Sequence, residues 1–193
     1  MNRERDYRER FVSQQPAIEV LKRLGYWYLS PKQAEAMRGG RHQVLLREIM
    51  EAKLKELNTY EYKGKVYRFS DANIRQAIQD LDEPRIHGLV KTSEKIYELL
   101  LSGKNYTEML PDGSRRSFPF RYVDWERVEN NVFHVTKEFV LEREDGQGTI
   151  RPDLVLFVNG IPFAVIECKK SSVSVEEGIS QTIRNQGRGY IPD

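Results

Sequence analysis

The sequence predicts an α/β protein with a mixed central β-sheet flanked by helices and a helix-rich N-terminal half. Up to about residue 103, apolar residues recur at the spacing of amphipathic helices. From about residue 104, alternating apolar residues and turn motifs indicate strands. Because 193 residues fit one domain, we expect a single domain over residues 1–193, with a helical part over about 1–103 and a sheet core over about 104–193.

The composition is that of a globular protein, with 39% hydrophobic and 31% charged residues. The formal net charge of +2 is too small to indicate an anionic partner, so that argument depends on local clusters. No apolar run is long enough to span a bilayer and no signal peptide is present, which predicts a cytoplasmic location and no membrane. Cys168 is the single cysteine, which excludes an internal disulfide. Trp27 and Trp125 are expected to anchor the core.

Helices in the first half are predicted from the spacing of apolar residues and from stop signals. In the first of them, Ile18 and Leu21 share one face and Gly25 ends the helix. Ser70 or Asp71 is a candidate N-cap, and Gly103 is a candidate terminator. A hairpin is expected over residues 60–69 around Lys63-Gly64. The predicted helices cover residues 16–24, 44–57, 70–81 and 84–101.

Strands and tight turns alternate in the second half. The Asn159-Gly160 dipeptide is typical of a hairpin turn. After the last strand, Ser174 followed by Glu177 forms a capping box, which predicts a helix through about residue 185. The predicted strands cover residues 106–110, 118–123, 131–143, 149–158 and 161–169.

Charged residues stand at the ends of two of these strands. Asp153 precedes one apolar strand, and Glu167-Cys168-Lys169 follows the next, so Glu167 is fourteen positions after Asp153. A carboxylate beside an apolar run such as residues 163–166 is costly to desolvate unless a cation or a donor compensates it. The same run argues that this strand is not at a sheet edge. The pattern therefore predicts a metal site.

Oxygen ligands of this kind select Mg²⁺, and phosphodiester hydrolysis needs the Lewis acid and activated water that Mg²⁺ supplies. Asp153 and Glu167 are the predicted metal ligands, with the Cys168 backbone carbonyl as a further one. Lys169 is two positions from Glu167 and shares its face of the strand. It is expected to orient or deprotonate the attacking water, or to neutralise charge on the phosphorane.

The strand register decides whether this site can form. A regular two-residue Asn159-Gly160 loop would pair Asp153 with Ile166 and put Asp153 on the face opposite Glu167. We therefore predict a three-residue loop with a type I turn and left-handed Gly160, or else one β-bulge that restores the shared face.

The run from Arg151 to Lys169, RPDLVLFVNGIPFAVIECK, resembles the N-terminal endonuclease domain of the type I restriction enzyme R (motor) subunit, within the PD-(D/E)xK nuclease superfamily. The resemblance is strongest over residues 131–186. It implies a restriction-endonuclease-like core and a type I site-specific deoxyribonuclease that cuts double-stranded DNA. It also implies methylation and specificity subunits as partners, a bacterial or archaeal source, and an ATP-driven motor domain that would follow Asp193.

The family also carries a Gln-x-x-x-Tyr motif on the helix after the catalytic strand. By position this is Gln181, although Asn185 stands where tyrosine is expected; Gln186 and Tyr190 match the letters in a later frame. A glutamate on the first core helix often completes the metal site in this fold, and Glu19 resembles it. The residues expected to contact DNA phosphates are Lys170, Arg184, Arg188 and, more weakly, Tyr190.

Simpler interpretations of these residues stay open. Asp153 could cap neighbouring amides, Glu167 and Lys169 could form a cross-strand salt bridge, and Glu19 and Gln181 could be solvated helix residues. Two other functions also stay open. The first is a non-catalytic DNA-binding or subunit-docking module of the same fold, and the second is a PD-(D/E)xK nuclease of another repair or defence system.

Overall fold

The structure, a computed structural model, describes residues 13–82, 89–142 and 148–168. Helices and strands alternate along this part of the chain, which confirms the predicted α/β class. The helices are α1 (Gln15–Arg23), α2 (Pro31–Arg38), α3 (Arg47–Leu57), α4 (Asp71–Asp82) and α5 (Leu89–Ser102). The strands are β1 (Trp27–Leu29), β2 (Thr59–Tyr62), β3 (Lys65–Arg68), β4 (Lys104–Met109), β5 (Arg115–Phe120), β6 (Phe133–Lys137), β7 (Leu141–Glu142), β8 (Thr149–Ile150), β9 (Leu154–Val158) and β10 (Ile161–Ile166).

A mixed four-stranded sheet forms the centre, with strand order β1-β6-β9-β10. Strand β1 runs parallel to β6, whereas β6, β9 and β10 are successively antiparallel. The remaining strands form three two-stranded sheets, β2-β3, β4-β5 and β7-β8. None of the described helices has the length and apolar character needed to cross a membrane.

Strand β9 is buried along its whole length because helices cover both faces of the sheet. On one face, Ile18 of α1 packs in a cluster with Leu154 and Leu156. On the other, Ala34 of α2 belongs to a cluster with Phe157. Full burial of such a side chain contributes about 1.5–3 kcal/mol, so β9 is the most firmly held strand beside the predicted site.

A second core lies under the β2-β3 and β4-β5 hairpins. Its aromatic centre includes Tyr60 stacked on Phe118, with ring centroids 4.2 Å apart. Val158 and Ile161 belong to this second core. The two residues that flank the β9-β10 turn therefore pack in the second core, whereas the rest of β9 packs in the clusters with α1 and α2.

A buried carboxylate links α4 to β4 within this second core. Asp80 accepts hydrogen bonds from Lys104 Nζ at 2.6 Å, Tyr106 Oη at 2.5 Å and Gln76 Nε2 at 3.0 Å. Burial alone would raise the pKa of Asp80, but these hydrogen bonds and the charge of Lys104 outweigh it and hold the pKa below its ordinary value.

Two elements of the central region were not predicted, β1 and α2. The local signals for α2 are present: Ser30 and Gln33 form a capping box, Pro31 occupies the first turn, and Gly39 ends the helix at φ 80°. Strand β1 has only three residues, which is too short for a periodic pattern to be recognised.

Several predicted boundaries also differ. Helix α3 begins at Arg47 instead of residue 44. The predicted strand over residues 131–143 is divided into β6 and β7, because Glu138 between them adopts φ 51°. The expectation that Trp27 and Trp125 anchor the core is wrong, since they are 71% and 47% exposed. The predicted helix at 174–185 lies outside the described residues.

A substitution at Gly160 would show how tightly the β9-β10 turn is packed. A Cβ atom there would lie 2.6 Å from Leu46 O and 2.9 Å from Met50 N, whereas a Cβ at Gly113 would meet nothing within 4 Å. Both glycines have φ near 80°, so an alanine at either costs roughly 1–2 kcal/mol in backbone strain. We expect Gly160→Ala to lose about 1–3 kcal/mol more, through overpacking. Urea unfolding measures the stability loss in Gly160→Ala and in the control Gly113→Ala. Equal losses of unfolding free energy would contradict the close approach of Leu46 and Met50 to Gly160.

The lowered pKa of Asp80 predicts a pH dependence of stability. Its contribution is fully present above the unfolded-state pKa of about 3.9 and is lost as pH falls through the lower folded-state pKa. We expect Asp80→Asn to cost about 2 kcal/mol at neutral pH, with the difference from wild type narrowing below about pH 4. The control is Asp71→Asn, which removes an exposed partner of Lys55 and should change stability far less. A pH-independent difference for Asp80→Asn in urea titrations would contradict the argument.

Candidate metal centre

The β9-β10 turn is a two-residue loop, because Ile161 pairs with Val158. Asn159 has φ 53° and Gly160 has φ 82°, and two successive positive φ values are what a type I′ hairpin turn requires. The predicted three-residue loop with a type I turn is therefore wrong. The Asn-Gly dipeptide instead adopts the type I′ turn that it favours.

A β-bulge follows the turn and changes the register. Pro162 pairs with Phe157, but Ala164 pairs with Leu156, so Phe163 is the extra residue. The alternative prediction of one bulge is confirmed. Beyond it the register is regular through Ile166 opposite Leu154. One further residue in this register sets Glu167 opposite Asp153, and directly opposed residues of an antiparallel pair lie on the same face.

Asn159 fixes the position of this hairpin. Its side chain is fully buried, and its Nδ2 donates to Tyr122 O at 2.9 Å and to Asn131 Oδ1 at 2.8 Å. Its Oδ1 accepts from Val132 N at 2.9 Å. All three polar contacts of the amide are made to parts of the chain before β9, so the turn cannot shift without breaking buried hydrogen bonds.

The half-buried Asp153 carboxylate accepts two hydrogen bonds. Oδ1 accepts from Gln14 Nε2 at 2.7 Å, and Oδ2 accepts from the Cys168 backbone N at 2.8 Å. Asp153 thus caps a neighbouring amide, as the simpler interpretation foresaw. A carboxylate has about four lone-pair positions, so these two bonds leave it able to bind a cation.

Gln14 is the residue at this site that the sequence did not predict. It is four residues before Ile18 and seven before Leu21, both buried against the sheet. This spacing places Gln14 on the same face of α1. The signal was therefore present in the sequence, but a glutamine at the start of a helix is ordinarily solvated.

Glu19 lies elsewhere on α1. Its Oε1 accepts from Lys22 Nζ at 3.2 Å and from Gln15 Nε2 at 3.1 Å, and its side chain is 47% exposed. These are contacts of an exposed helix face. Gln14, the N-cap position of α1, reaches Asp153, and Glu19 does not contact it.

A third acidic residue has its backbone beside Asp153. Glu138 N donates to Asp153 O at 3.0 Å, so Glu138 follows the end of β6 where Asp153 precedes β9. Burial raises the pKa of Tyr28, and the charge of Glu138 raises it further. Within the described residues, no three His, Cys, Asp or Glu side chains are grouped closely enough to hold a metal. The acidic side chains aligned by the β9-β10 register are Asp153 and Glu167.

The surroundings of the two carboxylates differ from the expectation. Asp153 precedes the buried strand β9. Glu167 follows β10, which is an edge strand of the described sheet and leaves Phe163 53% and Val165 58% exposed. The expectation that β10 is not at an edge is therefore wrong for the described part of the chain. The cost of desolvation supports a cation beside Asp153 more strongly than beside Glu167.

The available donors nevertheless fit Mg²⁺. The Asp153 carboxylate, the Glu167 carboxylate and the buried Gln14 amide oxygen are all hard oxygen atoms. Further predicted site residues lie outside the described residues; they are Lys169, Lys170, Gln181, Arg184, Arg188 and Tyr190.

Comparisons with known proteins show which family the chain resembles. The model of the family described as type I restriction enzyme R protein N terminus matches residues 6–192. The MjaIXP type I restriction enzyme endonuclease subunit of Methanocaldococcus jannaschii is 31% identical over 83% of this chain and 15% of its own length. The MjaVIIIP endonuclease subunit of the same organism is 28% identical over 86% of this chain and 15% of its own.

A relative from a second organism is similar over nearly the same share of the chain. The type I restriction enzyme HindI endonuclease subunit of Haemophilus influenzae is 25% identical over 81% of this chain and 14% of its own length. The chain thus spans about one seventh of the length of these curated relatives.

The contacts of Asp153 predict that it stabilises the fold before any cation binds. In Asp153→Asn, only one side-chain oxygen remains to accept the two hydrogen bonds from Gln14 Nε2 and Cys168 N. The new NH2 group then faces the other of these donors. We expect a loss of about 1–2 kcal/mol in metal-free buffer, measured by chemical unfolding. The control is Glu61→Gln at an exposed position of β2, which should be neutral. An Asp153→Asn variant more stable than wild type would show that these hydrogen bonds do not support the fold.

Proposed function

Because the chain belongs to the family of type I restriction enzyme R protein N-terminal domains, we propose that it is a Mg²⁺-dependent endonuclease domain. It hydrolyses DNA phosphodiester bonds without sequence specificity of its own. The observation that carries this proposal is the bulged register, which pairs Ile166 with Leu154 and, continued by one residue, would set Glu167 opposite Asp153 on the same face.

Asp153, Glu167 and the Cys168 backbone carbonyl hold the cation, and Glu19 is a weaker candidate ligand. When bound, Mg²⁺ supplies a Lewis acid for the scissile phosphate and lowers the pKa of water. The Cys168 N–H bond to Asp153 Oδ2 fixes the orientation of this carboxylate. Its other oxygen is held by Gln14.

Lys169 follows Cys168 directly in the sequence. Its ammonium group orients the attacking water and neutralises charge on the phosphorane. Gln181 is the proposed active-site neighbour from the Gln-x-x-x-Tyr motif.

DNA binding in this proposal depends on phosphate contacts by Lys170, Arg184, Arg188 and Tyr190, which carry no sequence information. The target sequence is then chosen by methylation and specificity subunits. ATP acts only through a motor domain elsewhere in the polypeptide.

Cation binding is the primary test, because it does not require the motor. We expect calorimetry with Mn²⁺ to show one binding event on the 193-residue chain that is lost in Asp153→Asn and in Glu167→Gln, since each removes a charged ligand. Glu61→Gln is the control, and Glu19→Gln tests the weaker ligand. Wild-type affinity in both Asp153→Asn and Glu167→Gln would remove the metal site.

Plasmid nicking tests the role of Lys169 separately. In Lys169→Ala, we expect Mn²⁺ affinity to persist while the rate of nicking in Mg²⁺ falls by about 10²–10³-fold, the range for loss of one group that stabilises charge in the transition state. Lys169→Ala that nicks as wild type would exclude a catalytic role for this residue.

A further inference from the structure

Gln14 has a buried polar atom that the fold leaves unused. The side chain is 5% exposed, and its Nε2 donates to Asp153 Oδ1 at 2.7 Å. Its Oε1 is buried and has no hydrogen-bond partner among the residues that the structure describes. Buried polar atoms without a partner are uncommon and call for an explanation.

The orientation of the Gln14 amide follows from its contact with Asp153. If the amide were turned over, Oε1 would face a carboxylate oxygen, and two acceptors would meet without a proton between them. The donor therefore points to Asp153, and the carbonyl oxygen is left as an acceptor beside the carboxylate. A hydrated cation at Asp153 would supply the missing donor, because Mg²⁺ usually keeps several of its waters.

We propose that Gln14 is a positioning residue of the cation site: its Nε2 fixes the Asp153 carboxylate, and its Oε1 accepts a hydrogen bond from the hydration water of the cation. This inference rests on the proposed function. Partners of metal ligands typically change metal affinity by about 10–100-fold when they are removed.

The neighbouring Gln15 provides a matched control. It has the same side chain on the same helix, but its Nε2 bonds to Glu19 Oε1 on the exposed face. We expect Gln14→Leu to weaken Mn²⁺ binding to the 193-residue chain at least tenfold by calorimetry, and Gln15→Leu to leave it unchanged. Circular dichroism melts without metal establish that each variant is folded.

Gln14→Glu gives a second readout, the pH dependence of cation binding. It sets a second carboxylate against Asp153 Oδ1, so two like charges oppose each other until a proton or a cation compensates one of them. We expect the midpoint of the pH profile for Mn²⁺ binding to rise relative to wild type, with affinity recovering at higher pH. If Gln14→Leu does not fold, Gln14→Glu provides the test of the proposed role of Gln14.

The outcomes separate this inference from the proposed function. If Asp153→Asn abolishes Mn²⁺ binding while folded Gln14→Leu binds as wild type, or while Gln14→Glu keeps the wild-type pH midpoint, the role of Gln14 is refuted and the metal site stands. If Asp153→Asn and Glu167→Gln both bind Mn²⁺ as wild type, the proposed function fails, and the role of Gln14 fails with it.

Discussion

The described structure around the site depends on the buried amide of Asn159. An asparagine at a hairpin turn is ordinarily explained by its tolerance of positive φ, but here the side chain is also bonded to Tyr122 and to the adjacent Asn131 and Val132. Those bonds hold the turn against the segment that precedes β6, so the strands that leave it start from a fixed position. The bulge then shifts the register so that Ile166 pairs with Leu154, which leaves Asp153 and Glu167 as the next opposed residues.

Much of the local structure could be predicted from the sequence, because its signals are local. The β2-β3 hairpin was predicted from Lys63-Gly64, and α1 from the spacing of Ile18 and Leu21; both are confirmed. The register of β9 and β10 could be predicted only as two alternatives. A bulge is stabilised by packing on both faces of a strand pair, and the local sequence does not contain that information.

The errors also have physical causes. The parallel strand β1 pairs with β6, more than one hundred residues later, so its signal is not local. Phe163 and Val165 were interpreted as buried because apolar runs usually are, yet they are exposed on β10. Gln14 was missed because a polar residue inside a core is recognised only through its partner, which here is 139 positions away. The predictions for residues 169–193 stay predictions.

The bond from Cys168 N to Asp153 Oδ2 has a consequence for the chain that leaves β10. Hydrogen bonds to a carboxylate are stronger than those between neutral groups. The backbone of Cys168 is therefore attached to the start of β9 by a side chain, in addition to the backbone pairing of β9 with β10. The end of the outermost strand of the described sheet is thus anchored to its buried neighbour.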